Sequence, residues 1–231
     1  MPWSELSRAE CRCRSRSLFD FNPADSPFSA IRCKSQAIRT AEGNMGTLNA
    51  LSKAEQHHDP ADQHEPHYLA WLSANDTALS TFFEYDAPQV AMLDDPWTLT
   101  GLQVAIATAR KTFPDHRAVI APENRSAIDR FGRFVGEVFV RQFEGYWCNM
   151  PDNAPVGAKF WPMVECSGYL ACITPHSELE IAIVEGRMVG LSAVPNGILT
   201  SLYNNVRRNY WKWVAAGRPS ATAWATAKLA G

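Results

Sequence analysis

The sequence has no excess of either charge. It carries 24 acidic and 22 basic side chains in 231 residues, a formal net charge of −2. A strongly basic nucleic-acid binder and a polybasic membrane protein are therefore disfavoured. No apolar run approaches the roughly 18–20 residues needed to span a bilayer. Six cysteines occur, at 11, 13, 33, 148, 166 and 172, and none belongs to a C-x-x-C pair. No apolar segment of the secretory type follows Met1. The expectation is a cytoplasmic, reducing compartment with free thiols. G-x-S-x-G, a Walker-type glycine loop and G-x-G-x-x-G are all absent. That counts against hydrolase, nucleotidase and dinucleotide chemistry, and no cofactor is expected. What is present, 46% hydrophobic and 20% charged residues, is the composition of a globular protein.

The chain divides unevenly. Residues 1–44 are rich in Arg and Ser, with CRCRSRS at 11–17 and NPADSP at 22–27. They read as a disordered extension or a misplaced translation start, with Met45 as an internal alternative. Residues 45–65 form a polar, His-rich linker. A single α+β domain is expected over 66–217, followed by a loose tail at 218–231. Helical periodicity covers 66–85, then 95–113, opened by Asp95-Pro96 and stopped by Pro114, then 123–143. Residues 145–149, 157–166, 168–174 and 179–185 read as strands. In the last, Leu179, Ile181 and Ile183 alternate with Glu180, Ala182 and Val184. Pro195-Asn196-Gly197 opens a long helix to about Ala216. The expected fold is N-terminal helices, a small antiparallel sheet of about four strands, and the C-terminal helix packed on that sheet.

The helix over 123–143 is the most informative. Ile128, Phe131, Val135, Val138 and Phe139 share a face, with Phe143 at its edge. Gly132 and Gly136, four apart, allow close approach of another element. Each costs about 1 kcal/mol of helix propensity against Ala, so the contact is expected to be used. Glu137 falls opposite the apolar face, with Arg133 and Arg141 four residues to either side. The simpler reading is a surface ion-pair ladder worth tenths of a kcal/mol. The alternative is a carboxylate held for a partner or for catalysis.

In the C-terminal helix, Leu199, Leu202, Tyr203, Val206, Tyr210, Trp213 and Val214 form the apolar face. Trp211 lies off it, flanked by basic residues, as an interface anchor would. Residues 46–100 hold one Lys and nine acids, a net −8, while 101–231 hold fourteen basic and ten acidic residues, a net +4. Asp94 and Asp95, read first as helix capping, add to an acidic stretch at 84–95. The cluster HHDPADQHEPH at 57–67 holds four of the six His, but Pro60 and Pro66 break any regular scaffold, so no native metal site is expected. A Cys/His nucleophile would need Cys148 or Cys166 near His176 or His116, and no local motif prepares either thiol.

A G-x-x-x-G-E helix followed after a short gap by G-x-W resembles a group of bacterial domains of unknown function. The residues are Gly132, Gly136, Glu137, Gly145 and Trp147, and the likeness covers roughly 123–185. It implies a helix leading into a strand near the Trp, in a small α+β domain of immunity-protein type. Such proteins bind and block a toxin. The expectation is thus a non-enzymatic protein-binding domain with a toxin or effector as partner. Glu137, Arg133, Arg141, Trp211, Asp94 and Asp95 are its candidate contacts. Nucleic acid and membrane are not expected partners. The alternatives are a small enzyme with Glu137 or His176 as general base in a helix–sheet cleft, and a subunit of a larger assembly.

Overall fold

The computed structural model describes residues 59–155, 157–185 and 197–229. The expectations for residues 1–44 and for most of the linker lie outside these. In chain order the helices are α1 (Pro60–Gln63), α2 (Pro66–Ser73) and α3 (Asn75–Thr81), which runs into a π-helical turn at Phe82–Asp86. Then come α4 (Pro88–Ala91), α5 (Leu99–Thr112), α6 (His116–Ile120) and α7 (Arg125–Gln142). Two strands follow, β1 (Tyr146–Asn149) and β2 (Pro162–Glu165), then α8 (Pro175–Glu185), α9 (Gly197–Ala215) and α10 (Ala221–Leu229).

Local chemistry sets many of these boundaries. Proline fills the first turn of α1, α2 and α4, where its missing N–H costs nothing. The Glu65 carboxylate accepts from Tyr68 N at 2.7 Å and caps α2. Asp115 caps α6 by accepting from Ala118 N at 2.9 Å. The cap of α5 is Thr98 rather than Asp95. Asp95 instead accepts from Trp97 N at 2.9 Å, one turn earlier.

Helix α7 is the axis of the molecule. It packs against α3, the π-helical turn, α5, α6, α8 and both strands. Every residue from Phe131 to Phe139 is buried. Its apolar stripe joins one continuous core with Leu79, Phe82, Leu102, Ile106, Phe113, Val164, Leu179, Ile183, Leu199 and Tyr203. Rings stack within this core, with Phe82 and Phe134 centroids 4.6 Å apart.

The expected α+β fold with about four strands is not what forms. The molecule is mainly α, with a two-stranded antiparallel sheet among the described residues. Its register sets Tyr146 opposite Glu165, Trp147 opposite Val164 and Cys148 opposite Met163. The expected strand at 168–174 shrinks to a single bridge between Ile173 and Val164. The expected strand at 179–185 lies within α8. There Leu179, Ala182 and Ile183 are buried at helical spacing, and Ile181 is only half-buried. Alternation and helical period share positions 179 and 183, so a short apolar run fits either. Thr174-Pro175 is the start signal that separates them, because Pro favours the first helical turn.

The C-terminal helix α9 packs mainly on α8, with α5 also in contact, rather than on the sheet. Residues 221–229, expected as loose tail, form α10. Trp224 there is buried and donates to Gly168 O at 2.8 Å. The end of the expected linker is docked as well. Gln63 Nε2 donates to Asn149 O at 2.8 Å, and Asn149 N donates back to Gln63 Oε1 at 3.0 Å. Among the described residues no helix is long and apolar enough to cross a membrane.

Candidate functional site

The polar side of α7 is covered, not exposed. Asp129, Arg133, Glu137 and Arg141 recur every four residues along it. Arg133 is 3% exposed and Glu137 6%, so the surface ladder read from sequence is a buried network. Glu137 Oε1 accepts from Asn75 Nδ2 and from Trp147 Nε1, each at 2.8 Å. Its Oε2 accepts from Arg141 Nε at 3.0 Å. The Arg141 guanidinium lies 4.0 Å over the Trp97 ring and is exposed at its outer edge. Arg133 donates to Asp129 Oδ2 at 2.7 Å and to Trp71 O at 2.8 Å, and lies 3.9 Å over the Trp71 ring. A buried carboxylate with three donors is a satisfied one. Glu137 and Arg133 are therefore not available as surface contacts.

The two glycines make the cover possible. A Cβ on Gly136 would run into the Trp147 ring, and one on Gly132 would lie 2.5 Å from His176 Cδ2. Strand β1 delivers Trp147 across α7, and the first turn of α8 delivers His176. The residues that carried the family resemblance thus act together. Gly136 admits Trp147, and Glu137 holds its N–H. That is a packing device, and it speaks to fold rather than to activity.

His176 sits at the end of this network. Its Nε2 is 3.1 Å from Asp129 Oδ1, which also accepts from Trp71 Nε1 at 2.8 Å. Burial pushes the Asp129 carboxyl up. The His176 bond and charge, the Arg133 charge and the Trp71 N–H overcome it and hold the group well below the usual carboxylate range. An ionised carboxylate only accepts, so Nε2 carries the proton.

Asp129, His176 and Glu180 line one cavity of about 60 Å³ with Arg125, Val119, Ile120, Ile128 and Trp161. Burial pushes the Glu180 carboxyl up to about 7, against the opposing charge of His176. Glu137 does not reach this cavity and no cysteine lines it. Burial and the Glu165 charge push the Cys148 thiol up to about 12, and Cys166 and Cys172 are raised for the same reasons. Such thiols stay protonated and unreactive near neutrality. The Cys/His nucleophile is not assembled.

The remaining candidates stay on the surface. Trp211 is 56% exposed. Arg207, Arg208 and Lys212 are exposed beside it and, with Asn204, frame a shallow open depression on α9. Asp94 and Asp95 are exposed in the turn before α5. The two groups adjoin at Tyr203, whose hydroxyl feels both the Arg207 and the Asp95 charges. Of the His-rich cluster, His64 bonds Pro60 O and His67 lies 2.8 Å from Lys159 Nζ. No metal-holding group of His, Cys, Asp and Glu occurs among the described residues.

Sequence reading missed Asp129, Trp71, Asn75 and Glu180. Asp129 extends the charged stripe by one turn and was legible as such. The others come from distant elements and carry no local signal. No family model, curated protein or solved structure matches the chain.

Proposed function

We propose that this chain is a protein-binding domain that docks through α9 and the adjoining Asp94–Asp95 turn. Its specific form is an immunity-type inhibitor that occludes a toxin's active site. The observation that carries the reading is Trp211, exposed among Arg207, Arg208 and Lys212. A large aromatic side chain left in water beside guanidinium groups has the composition of an interface anchor. The surface is bipolar, basic on α9 and acidic at Asp94–Asp95. The partner is a protein with an acidic patch for the first and a basic patch for the second. Such complementarity speeds association and fixes orientation.

The test immobilises the full chain, passes native lysate over it, and repeats this with Trp211→Ala and with Arg207→Glu/Arg208→Glu. One stoichiometric protein kept by the wild type and lost by both variants is the expected result. An empty wild-type column, or a protein kept equally by all three, overturns the reading.

A further inference from the structure

The face formed by α9 and the Asp94–Asp95 turn carries charges of both signs, and none is neutralised within the described chain. Arg207, Arg208 and Lys212 are exposed along α9, and Asp94 and Asp95 are exposed before α5. The ion pairs among the described residues are Asp86–Arg130, Asp129–Arg133, Glu137–Arg141, Asp129–His176 and Glu144–Arg218. None of them uses these five charges. Arg207 and Asp95 are close enough to act on one hydroxyl, that of Tyr203, yet they do not pair with each other. Each half of the face also holds a large apolar side chain in water. Trp211 is 56% exposed on the basic half, and Met92, two residues before Asp94, is 85% exposed.

A partner for this face must offer an acidic half to α9 and, beside it, a basic half to the turn. The face itself meets that requirement. Consider a second copy turned about a twofold axis that lies in the contact plane, along the border near Tyr203. Its acidic half then covers the basic half of the first copy, and its basic half covers the acidic one. The same rotation carries Trp211 of each copy toward the half that holds Met92 of the other. Such a contact is made twice and closes on itself. The whole chain has a net charge of −2, so two copies repel each other little at long range.

We propose that this face is covered in the free protein by a second copy of the chain, as a twofold dimer with α9 of each copy on the Asp94–Asp95 turn of the other. The proposal rests on the reading of α9 and the turn as a docking face, and it names a regulation of that face. A toxin competes with the second copy for the same residues. The dimer is the shielded form, and the monomer is the form that captures.

The experiment is sedimentation of the purified full chain from about 1 to about 200 µM, at about 0.05 M and about 0.5 M NaCl. The expected result is a monomer–dimer equilibrium whose dissociation constant rises at least about tenfold between the two salts, because the contact is screened. No dimer at the highest concentration in low salt overturns the proposal. So does a dimer indifferent to salt, or an assembly that grows beyond two copies.

Charge reversal tests the arrangement. Arg207→Glu/Arg208→Glu and Asp94→Lys/Asp95→Lys, each with its fold checked by circular dichroism, are each expected to stay monomeric. Mixed in equal amounts, they are expected to sediment as a one-to-one heterodimer, since each reversed half now meets its complement. A folded pair whose mixture stays monomeric overturns the proposal. If either variant fails to fold, the salt series on the unmodified chain decides alone. The proposal and the toxin reading fail separately. A monomeric chain that captures a lysate protein through Trp211 overturns the dimer alone, and a salt-sensitive dimer with an empty lysate column overturns the toxin reading alone.

Discussion

Helices α7 and α9 look alike in sequence and differ in fate. Each is 18 or 19 residues long, with an apolar stripe and a row of charges away from it. In α9 the row stays in water, and Arg207, Arg208, Trp211 and Lys212 are exposed. In α7 all of it but Arg141 is covered by Trp71, Trp147, Asn75 and His176. An amphipathic pattern identifies which face is apolar. It does not say whether the other face will be covered. What separates the two is the glycine pair of α7, which brings a ring from β1 and a ring from α8 against the helix backbone. Charges beside such a contact are removed from water and must be paired.

The sharpest way to break this contrast is to fill the gap. Gly136→Ala raises helix propensity by about 1 kcal/mol but drives a methyl into the Trp147 ring. The indole must move, and its bond to Glu137 goes with it. A net loss of about 4 kcal/mol is expected from overpacking plus the loss of one of the three donors to the buried carboxylate. Chemical denaturation measures it. A variant as stable as wild type would mean that the covered face is not held by this contact.

Next in size is Glu137→Ala. It leaves Asn75, Trp147 and Arg141 without their common acceptor. Removing one partner from a buried charged network costs about 3 kcal/mol. Arg208→Ala, the matched truncation on α9, should stay within about 0.5 kcal/mol. Equal effects on both helices would erase the distinction drawn between them.

Much of the architecture was legible in the sequence, and the failures have physical causes. The helix over 123–143 and its apolar residues emerge as expected because five apolar side chains at helical spacing have no other arrangement. Strand 145–149 is found because Gly145 precedes it and β-formers fill it. Residues 179–185 defeat the reading because eleven residues of α8 hold apolar positions that fit either period. The ladder Arg133–Glu137–Arg141 is misplaced at the surface because its cover comes from residues 62 positions before and ten after Glu137. The one local hint was Gly132 and Gly136, which announced a close neighbour without saying that it would also shield the charges. The cavity was less legible still. Val119, Asp129, Trp161 and Glu180 meet there from separate elements, and only His176 was a candidate beforehand.

A third prediction sharpens the contrast through pH. The two carboxyls at the cavity are shifted in opposite senses. Asp129 is lowered, so its contribution is present above the ordinary aspartate value, about 3.9, and is lost as pH falls through and below it. Glu180 is raised to about 7. The folded chain therefore holds its proton longer than the unfolded chain, and stability falls as pH rises from about 4.3 to 7. Glu180→Gln should remove the second slope and gain about 1–2 kcal/mol at pH 8, with partial exposure of the side chain already discounted. Denaturation at pH 5 and pH 8 measures both. An unchanged slope would mean that Glu180 is hydrated and that the cavity is wetter than its walls imply.

The smallest expected effect on stability falls where the largest effect on binding is proposed. Trp211 touches the Tyr210 ring, with centroids 5.4 Å apart, but more than half its surface meets water. Trp211→Ala removes little that is buried, so stability should change by no more than about 0.5 kcal/mol. The contrast with Trp147 is direct. That indole fills the space above Gly136 and satisfies Glu137, so truncating it should unfold the chain or come close. If Trp211 costs as much as a core residue, it is a packing residue of α9, and the docking face would need another anchor. If it costs nothing while partner capture is lost, the exposed row on α9 is retained for recognition. The row on α7 is then the same charge pattern used to build the fold.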